Sequence, residues 1–478
     1  MPAAPLSVST PAAQGLDADG VHAFLDRVEG TGIELHGLAV VRHDRLVAAG
    51  VRAPYEWDRP RLLYSLSKSF TGTAAGLAAG DGLLGLDDTV LSYFPELDGA
   101  VTDPRSRAMT VRHVASMASG HEEETVERAH ALSPDDLLRG FLLLPPERDP
   151  GSVFAYNQPA TFALAAVVQR VTGRSLTGYL RARLLDPLGI GPVGWQRGPD
   201  GLEIGYSGLF ATVEDVARLG LLYLRGGVWG GRRLLPASWV REATRVQTPN
   251  ARDGQAARSD WQQGYGLQFW RSRHGYRGDG AYGQFCLVLP EQDAVVALTG
   301  GTERMQEVLD AVWEELLPAF APGPLDGSGD AGLARRLERL RLDPVAGAPA
   351  PPPEAADAWR DASFTPRGGG CGAQPGLTGV RVAAAGGGGE VTLTERGRPL
   401  RLRLAAEPGW AVDTEGPVPV AVSGGWSGPG ALGLQVAFLD TPHRLALTCT
   451  LADRACTADW LTRPLGAPLL TELCRPVS

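Results

Sequence analysis

Lys68 is the only lysine in the 478-residue sequence, and every other basic position is an arginine. It follows Ser65 by three positions, within the segment Tyr-Ser-Leu-Ser-Lys-Ser-Phe. Arginine keeps its proton in proteins, whereas a buried lysine can release one. Residues i and i+3 share a helix face, and a base within hydrogen-bond reach activates a hydroxyl. We therefore predict Ser65 as a nucleophile with Lys68 as its base; the alternative is a surface lysine near a helix start.

A second residue with acid–base chemistry is Tyr156. It stands where a proline–glycine loop, beginning at Pro150, enters a segment that reads as a helix ending near Gly173. A phenol close to an amine can relay protons. A packing role is the other reading of this tyrosine.

A third motif, Gly278-Asp279-Gly280-Ala281, precedes an apolar strand. The order Ser-x-x-Lys, Tyr-Asn, Gly-x-Gly resembles the three motifs of the penicillin-binding-protein and class C β-lactamase superfamily of serine hydrolases. The resemblance covers about residues 10–320. It implies an α/β fold, in which an antiparallel sheet flanked by helices lies beside a helical subdomain.

The resemblance also implies roles for individual residues. Ser65 would be acylated at a helix N-terminus, with Lys68 as the acylation base and Tyr156 as the proton shuttle. The backbone N–H groups of Ser65 and Ala281 would form an oxyanion hole. The expected substrate-binding positions are Asn157, Gln158, Gly278, Asp279 and Gly280.

Two positions depart from the family pattern. The second motif often reads Tyr-x-Asn, but here the third place is Gln158 and the asparagine comes one residue early. The third motif usually opens with Lys or His, a cation that holds a substrate carboxylate, but here it opens with Gly278. Arg277 is either a substitute cation or a solvated strand residue. Asp279 would repel a carboxylate if it faced the cleft, and strand alternation does not fix its face.

We expect a metal-independent serine hydrolase without a cofactor, acting through an acyl-enzyme on carboxylic esters or small amides. A D-stereospecific peptidase, a β-lactamase and a peptide-releasing or peptide-cyclising thioesterase are alternatives. A non-catalytic binding scaffold is a further one. Trp57, Trp195 and Trp270 could line the cleft or only pack.

The amino-acid composition limits which binding partners and which cellular compartment we expect. The net charge is −9 and the pI about 5.5 without a basic stripe, which argues against nucleic acid and anionic membrane as partners. The five cysteines, Cys371 among them, show no metal-ligand spacing, and we expect them to be reduced. The first residues lack the features of a signal peptide, so we expect a cytoplasmic protein. Self-association is left open.

The remaining pattern predicts the elements and domains. Helices are expected at 16–29, 65–79 and 303–320, a hairpin at 35–51, and strands at 265–270, 285–289 and 294–298. Past residue 320 the sequence becomes rich in proline and glycine. We expect a hydrolase domain at 1–320, a linker with a short helix at 321–355, and a small antiparallel β domain at 356–478 with strands near 390–394, 400–404 and 444–448.

Overall fold

The structure is a computed structural model that describes residues 6–252, 258–367, 373–385 and 388–476. Cys371 therefore lies outside the described residues. The chain packs into two units. The first comprises Met1–Gly50, Leu62–Glu338 and Pro476–Ser478, and the second comprises Val51–Arg61 and Arg339–Arg475. The stretch predicted as a linker, 321–355, is divided between them. The predicted domain division rests on the change in amino-acid composition past residue 320 and stays a prediction.

Six described strands form the main sheet of the first unit, in the order β2-β1-β11-β10-β9-β8. From β1 to β8 the neighbouring strands of this sheet pair antiparallel. Short strands form two smaller sheets, β3-β5-β4 and β6-β7. The bounds are β1 Leu35–Arg42, β2 Arg45–Val51, β3 Arg61–Leu62, β4 Gly194–Trp195, β5 Leu209–Ala211, β6 Val228–Trp229, β7 Arg232–Arg233, β8 Trp270–Arg271, β9 Tyr276–Gly280, β10 Gln284–Leu289 and β11 Ala294–Gly300.

Helices surround this sheet and build the helical region that carries the predicted motifs. The α-helices of the first unit are α1 Ala18–Gly30, α2 Ser67–Gly80, α3 Pro104–Ala108, α4 Val111–Ala115, α5 Val126–Leu132, α6 Leu137–Leu143, α7 Gln158–Thr172, α8 Leu176–Leu180, α9 Asp186–Leu188, α10 Val213–Leu224, α11 Ala237–Thr244, α12 Met305–Ala311 and α13 Asp330–Glu338. Single-turn 3₁₀ or π segments lie at Ala12–Gln14, Tyr64–Leu66, Val90–Tyr93, Pro95–Leu97, Arg181–Leu185, Asp260–Gln262, Pro290–Gln292, Val312–Leu316 and Leu317–Ala319.

Apolar spacing explains how these helices pack. Helix α10 contacts β1, β10 and β11 through its buried residues, so it covers one face of the sheet. Helices α2 and α7 are buried over most of their length and contact each other. A small residue on α2 also allows the close approach of α11: a Cβ on Gly76 would lie 2.5 Å from the ring of Trp239. The pair of α2 and α7 forms the rigid base on which the candidate site lies.

The predicted strand at 265–270 is wrong for most of its length. Only Trp270 belongs to a strand, β8, and Tyr265 makes isolated bridges. Gln268 has a left-handed φ of 64°, which breaks the extended run. Its backbone N–H donates to Ala115 (3.1 Å), and its carbonyl accepts from the hydroxyl of Ser69 (3.0 Å). The backbone is thus bonded to helical segments rather than to a neighbouring strand, although the apolar alternation reads as a strand.

The second unit is β-rich. Its described strands form one sheet in the order β15-β14-β13-β12-β20-β19-β18-β17-β16, in which β12 and β20 pair in parallel. Strand β15, at one end, also contacts β16 and β17, so the sheet curls toward a barrel. The bounds are β12 Ala362–Pro366, β13 Leu377–Ala385, β14 Gly388–Glu395, β15 Arg398–Leu404, β16 Ala411–Asp413, β17 Val420–Trp426, β18 Ala431–Phe438, β19 Arg444–Thr450 and β20 Ala455–Thr462. Among the described residues of this unit, α14, Ala356–Trp359, is the one α-helix, and 3₁₀ turns lie at Pro353–Ala355 and Leu470–Glu472.

The predicted fold class is confirmed: an antiparallel sheet flanked by helices, a helical subdomain and a C-terminal β domain. The hairpin of β1 and β2, the strands β10 and β11, and the helices near 16–29 and 65–79 lie where the sequence predicts them. Within the described residues, no helix is both long enough and apolar enough to cross a bilayer.

Candidate active site

Ser65 lies in a 3₁₀ turn, Tyr64–Leu66, that leads directly into α2. Tyr64 has a φ of 50°, a conformation that a bulky residue adopts only under constraint. The constraint comes from Ser67, whose hydroxyl donates to the carbonyl of Tyr64 (2.6 Å) and accepts from the backbone N–H of Leu209 (3.0 Å). Ser65 itself remains partly exposed. The turn thus presents one hydroxyl to solvent on a fixed backbone.

The amine of Lys68 reaches this hydroxyl from the first turn of α2. Its Nζ lies 3.2 Å from Ser65 Oγ, 2.5 Å from Gln158 Oε1 and 2.8 Å from the carbonyl oxygen of Tyr206. A neutral amine has two N–H donors and one lone pair. The two carbonyl oxygens can only accept, so they take the two N–H groups. The lone pair is then left for the proton of Ser65.

Burial favours this neutral form. The Lys68 side chain is almost fully buried, at 1 % exposure. Desolvation lowers the pKa of Lys68 to about 7, against the opposing effect of the carboxylates of Glu124 and Asp279. A base with a pKa near neutrality combines a useful unprotonated fraction with useful proton affinity.

Tyr156 lies on the other side of the same hydroxyl. Its phenol is hydrogen-bonded to the side chain of Ser65, and its ring centroid lies 4.7 Å from Lys68 Nζ. The ring stacks on Trp270, with centroids 5.1 Å apart and an interplanar angle of 25°. Burial and then the charge of Asp279 raise the pKa of Tyr156 above its usual value. The phenol therefore keeps its proton at neutral pH and can pass it on.

Strand β9 lies directly against the turn that carries Ser65. A Cβ on Gly280 would lie 2.1 Å from the carbonyl oxygen of Leu63 and 3.1 Å from the backbone nitrogen of Ser65. A Cβ on Gly278 would lie 2.5 Å from side-chain atoms of Leu66 and Ser69. A side chain at Gly280 would therefore displace the backbone of the turn, and one at Gly278 would displace the side chains of Leu66 and Ser69. Ala281, partly exposed, follows at the end of the strand.

The face of Asp279, which the sequence leaves open, is the one opposite Gly278 and Gly280, and it is shared with Arg277, whose guanidinium lies 5.7 Å from the ring centroid of Trp270 beside Tyr156. The residue is 7 % exposed, and its charge influences the pKa of both Lys68 and Tyr156. Burial raises the pKa of Asp279 itself, opposed by Arg277. Arg277 Nε donates to Asp279 Oδ2 over 2.9 Å, and the arginine side chain has no exposed surface. Arg277 is therefore a buried ion-pair partner rather than the solvated strand residue that the sequence also allowed.

The two amide residues of the second motif lie in different places. Asn157 is fully buried, and its Oδ1 accepts from the backbone N–H and the hydroxyl of Thr125 (3.1 and 2.9 Å). Gln158 is partly exposed and supplies the acceptor for Lys68. The structure thus brings Ser65, Lys68 and Gln158 together and directs Asn157 into the packing behind them.

Three neighbours of the site were not assigned from the sequence. The carbonyl of Tyr206 is a backbone group without a residue-type signal. Trp270 was noted but left unassigned. Glu124 is the third of three consecutive glutamates, a pattern typical of a solvated surface segment. Its carboxylate accepts backbone N–H bonds from Thr125 (2.9 Å), Val126 (3.0 Å) and Gln158 (3.0 Å), so it binds the N-terminal ends of both α5 and α7.

Comparisons with known proteins relate this chain to hydrolases and to a penicillin-binding-protein homologue. The beta-lactamase family model matches residues 25–314. A 6-aminohexanoate-dimer hydrolase from Paenarthrobacter ureafaciens is 28 % identical over 288 residues, which cover 54 % of this chain and 70 % of that protein. A lovastatin esterase from Penicillium rubens is 28 % identical over 169 residues, 31 % of this chain and 42 % of that protein. The octameric penicillin-binding protein homologue from Pyrococcus abyssi superposes with a TM-score of 0.50 at 14 % identity, over 89 % of this chain and 97 % of that one.

Proposed function

The chain belongs to the beta-lactamase family and is a serine hydrolase, and we propose that it cleaves carboxylic esters or small amides through an acyl-enzyme on Ser65. The observation that carries this proposal is the bonding of Lys68 Nζ, whose two N–H groups have carbonyl acceptors while its lone pair is left for Ser65. A base positioned in this way converts a weakly nucleophilic hydroxyl into an effective one.

In the proposed acylation, Lys68 takes the proton of Ser65 as Oγ attacks the substrate carbonyl carbon. The developing oxyanion accepts from the backbone N–H groups of Ser65 and Ala281. The close approach of Gly280 to the backbone of Leu63 and Ser65 supports this assignment, since it holds the two N–H-bearing segments together. The tetrahedral intermediate then collapses, the bond to the leaving group breaks, and the serine remains acylated.

The proton that Lys68 has gained is passed to the leaving group through Tyr156 in this proposal. The raised pKa of Tyr156 supports a phenol that relays a proton rather than a phenolate that acts as the base. The carboxylate of Asp279 adds to the preference for the neutral phenol, because a negative charge opposes ionisation of Tyr156. The same charge favours the protonated form of Lys68. Deacylation runs these steps in reverse with water in the place of the leaving group. Water attacks the acyl carbon and gives its proton to Lys68 through Tyr156, the bond to Ser65 Oγ breaks, and Oγ takes a proton back from Lys68.

The third motif bears on the substrate class. Related penicillin-recognising enzymes use a cation there to hold a substrate carboxylate, whereas here Gly278 opens the motif and Arg277 is buried against Asp279. This supports an ester or simple amide over a β-lactam. The curated relatives named above are called a dimer hydrolase and an esterase, which is in line with this choice. The D-stereospecific peptidase and the thioesterase differ in acyl donor and acceptor and stay as alternatives.

A fluorophosphonate probe followed by intact-mass measurement tests the proposal. We expect one stoichiometric adduct on the wild-type protein and none on Ser65→Ala. Parallel assays with a p-nitrophenyl ester, nitrocefin and a D-amino-acid amide would rank the substrate classes, with the ester turned over fastest. A folded wild-type protein that neither reacts with the probe nor hydrolyses any of the three would favour the binding-scaffold reading instead.

A further inference from the structure

Strand β9 carries the carboxylate of Asp279 one residue after Gly278, the position at which related penicillin-recognising enzymes carry a cation. Arg277 and Asp279 are two residues apart on the strand, so their side chains share one face. That face is the one toward Tyr156, because the guanidinium of Arg277 lies 5.7 Å from the ring centroid of Trp270, and this ring stacks on Tyr156. The charge of Asp279 accordingly acts on Tyr156 and Lys68. The indole of Trp261 also hydrogen-bonds Asp279, which fixes the carboxylate in this position.

Arg277 directs its Nε and Nη1 to internal partners, and its Nη2 is buried without a hydrogen bond to the described residues. Its Nη1 donates to the backbone carbonyls of Asp260 (2.9 Å) and Arg271 (3.0 Å) and to Ser272 Oγ (2.7 Å). Its guanidinium lies 4.7 Å from the ring centroid of Trp261. With no exposed surface, it cannot receive a carboxylate from a substrate. It neutralises Asp279 in part and offers no cation to the cleft.

A second carboxylate belongs to Glu124, an exposed residue whose side-chain oxygens are partly withdrawn from water. It accepts from the backbone N–H of Gln158, the residue whose side chain binds Lys68. Asp279 and Glu124 both raise the pKa of Tyr156, and the sequestered guanidinium of Arg277 opposes them. Lys68 itself is only partly protonated near pH 7. The side of the site on which Tyr156 would deliver its proton thus has a net negative character.

We propose that Asp279 and Glu124 make the leaving-group side of the site selective for charge, so that it rejects leaving groups bearing a carboxylate, accepts neutral ones and favours those bearing a protonated amine or quaternary ammonium. This inference rests on the proposed acyl-enzyme function. Asp279 supplies the repulsion, and Glu124, the exposed carboxylate, is the group that receives a cation. A unit charge at several ångströms in a partly buried site changes relative rates by roughly tenfold or more.

A matched series of thioesters tests the proposal on the wild-type protein. Each substrate has the same butyryl group, and the leaving thiol is thiocholine, its neutral carbon isostere 3,3-dimethylbutanethiol, or 4-mercaptobutanoate. We expect kcat/KM to be highest for the cation and lowest for the anion, with about tenfold or more between the extremes at low ionic strength. Added salt should compress the range. Equal values for the three, or a preference for the anion, would overturn the inference.

Variants then assign the effect to residues. Glu124→Gln should lower the cation-to-neutral ratio of kcat/KM severalfold. The double variant Arg277→Gln with Asp279→Asn removes both buried charges together and should raise the anion-to-neutral ratio severalfold. Ratios are compared because an effect on Lys68 cancels between substrates that share an acyl group. Asp98→Asn removes an equal charge from the exposed Asp98–Arg107 ion pair and should leave all ratios unchanged.

The neutral thioester separates the two levels of the proposal. If the wild-type protein fails to cleave it and Ser65 takes up no acyl group, the proposed function fails. If it is cleaved with Ser65 acylated but the charged thioesters show no ordering, the hydrolase stands and the charge selectivity is refuted. The wild-type ordering decides the second question even if the double variant does not fold.

Discussion

The unprotonated amine of Lys68 should set the acidic limb of the pH–rate profile. Burial lowers the pKa of Lys68 to about 7. Only the neutral amine can accept the serine proton, so kcat/KM should fall through this pKa as the pH decreases. Relative to the plateau above pH 8, kcat/KM should be about one tenth at pH 6 and about one hundredth at pH 5.

The assay is hydrolysis of a neutral ester, p-nitrophenyl butyrate, between pH 5 and 9 at constant ionic strength. A neutral substrate ensures that the profile of kcat/KM reports groups of the free enzyme. Glu124→Gln gives the sharpest check. The carboxylate of Glu124 raises the pKa of Lys68, so its removal should move the limb to lower pH without abolishing it.

Two results would contradict this reasoning. A profile flat between pH 5 and 8 would mean that no group with a pKa near neutrality governs acylation. A limb that disappears in Glu124→Gln would identify Glu124 as the titrating base and reduce Lys68 to a structural cation. Burial also raises the pKa of Glu124, so the second outcome is a real competitor.

Three further predictions concern single residues. Lys68→Arg keeps the charge but cannot release a proton, so kcat/KM should fall by roughly 10²–10⁴-fold while circular dichroism is unchanged; near-normal turnover would exclude lysine as the base. Lys68→Met should be inactive yet more resistant to urea at pH 7 by a few kcal/mol, because each unit of depressed pKa costs about 1.4 kcal/mol. The pKa of Lys68 is about 7 in the folded protein and 10.5 in the unfolded chain, so the unfolded chain binds more protons between these two pH values. The free energy of unfolding of the wild-type protein therefore rises with pH in that window. The stability advantage of Lys68→Met should shrink accordingly near pH 10. Gly280→Ala should reduce kcat by roughly 10²-fold or more, since its Cβ would press on the Leu63 carbonyl beside Ser65, whereas Gly30→Ala, which meets nothing within 4 Å, should be silent.

Local patterns predicted much of this structure because short-range physics decides them. The spacing of Ser65 and Lys68 places the amine one helical turn from the hydroxyl, and the two atoms lie 3.2 Å apart. The β1–β2 hairpin follows from two apolar runs around His43 and Asp44, both of which have a positive φ in the structure. These features need no knowledge of the rest of the chain.

Features decided by distant partners could not be predicted in the same way. The extended pattern around Gln268 gave a wrong strand because Ala115 and Ser69, far away in sequence, bond its backbone. The face of Asp279 depends on which side of β9 meets α2 and the turn that carries Ser65, and strand alternation alone leaves two choices. The carbonyl of Tyr206 carries no information in its residue type. The position of the Glu124 carboxylate depends on where the N-terminal ends of α5 and α7 meet, which the local sequence does not show.

The most direct test of the central claim is time-resolved intact-mass measurement of the wild-type protein with a slowly hydrolysed ester, beside Ser65→Ala and Lys68→Met. We expect an acyl adduct on Ser65 of the wild-type protein that decays with time and whose rate of formation increases as the pH rises through about 7. We expect no adduct on Ser65→Ala and none on Lys68→Met over the same interval. An adduct that forms on Lys68→Met at the wild-type rate would show that the amine does not activate the serine.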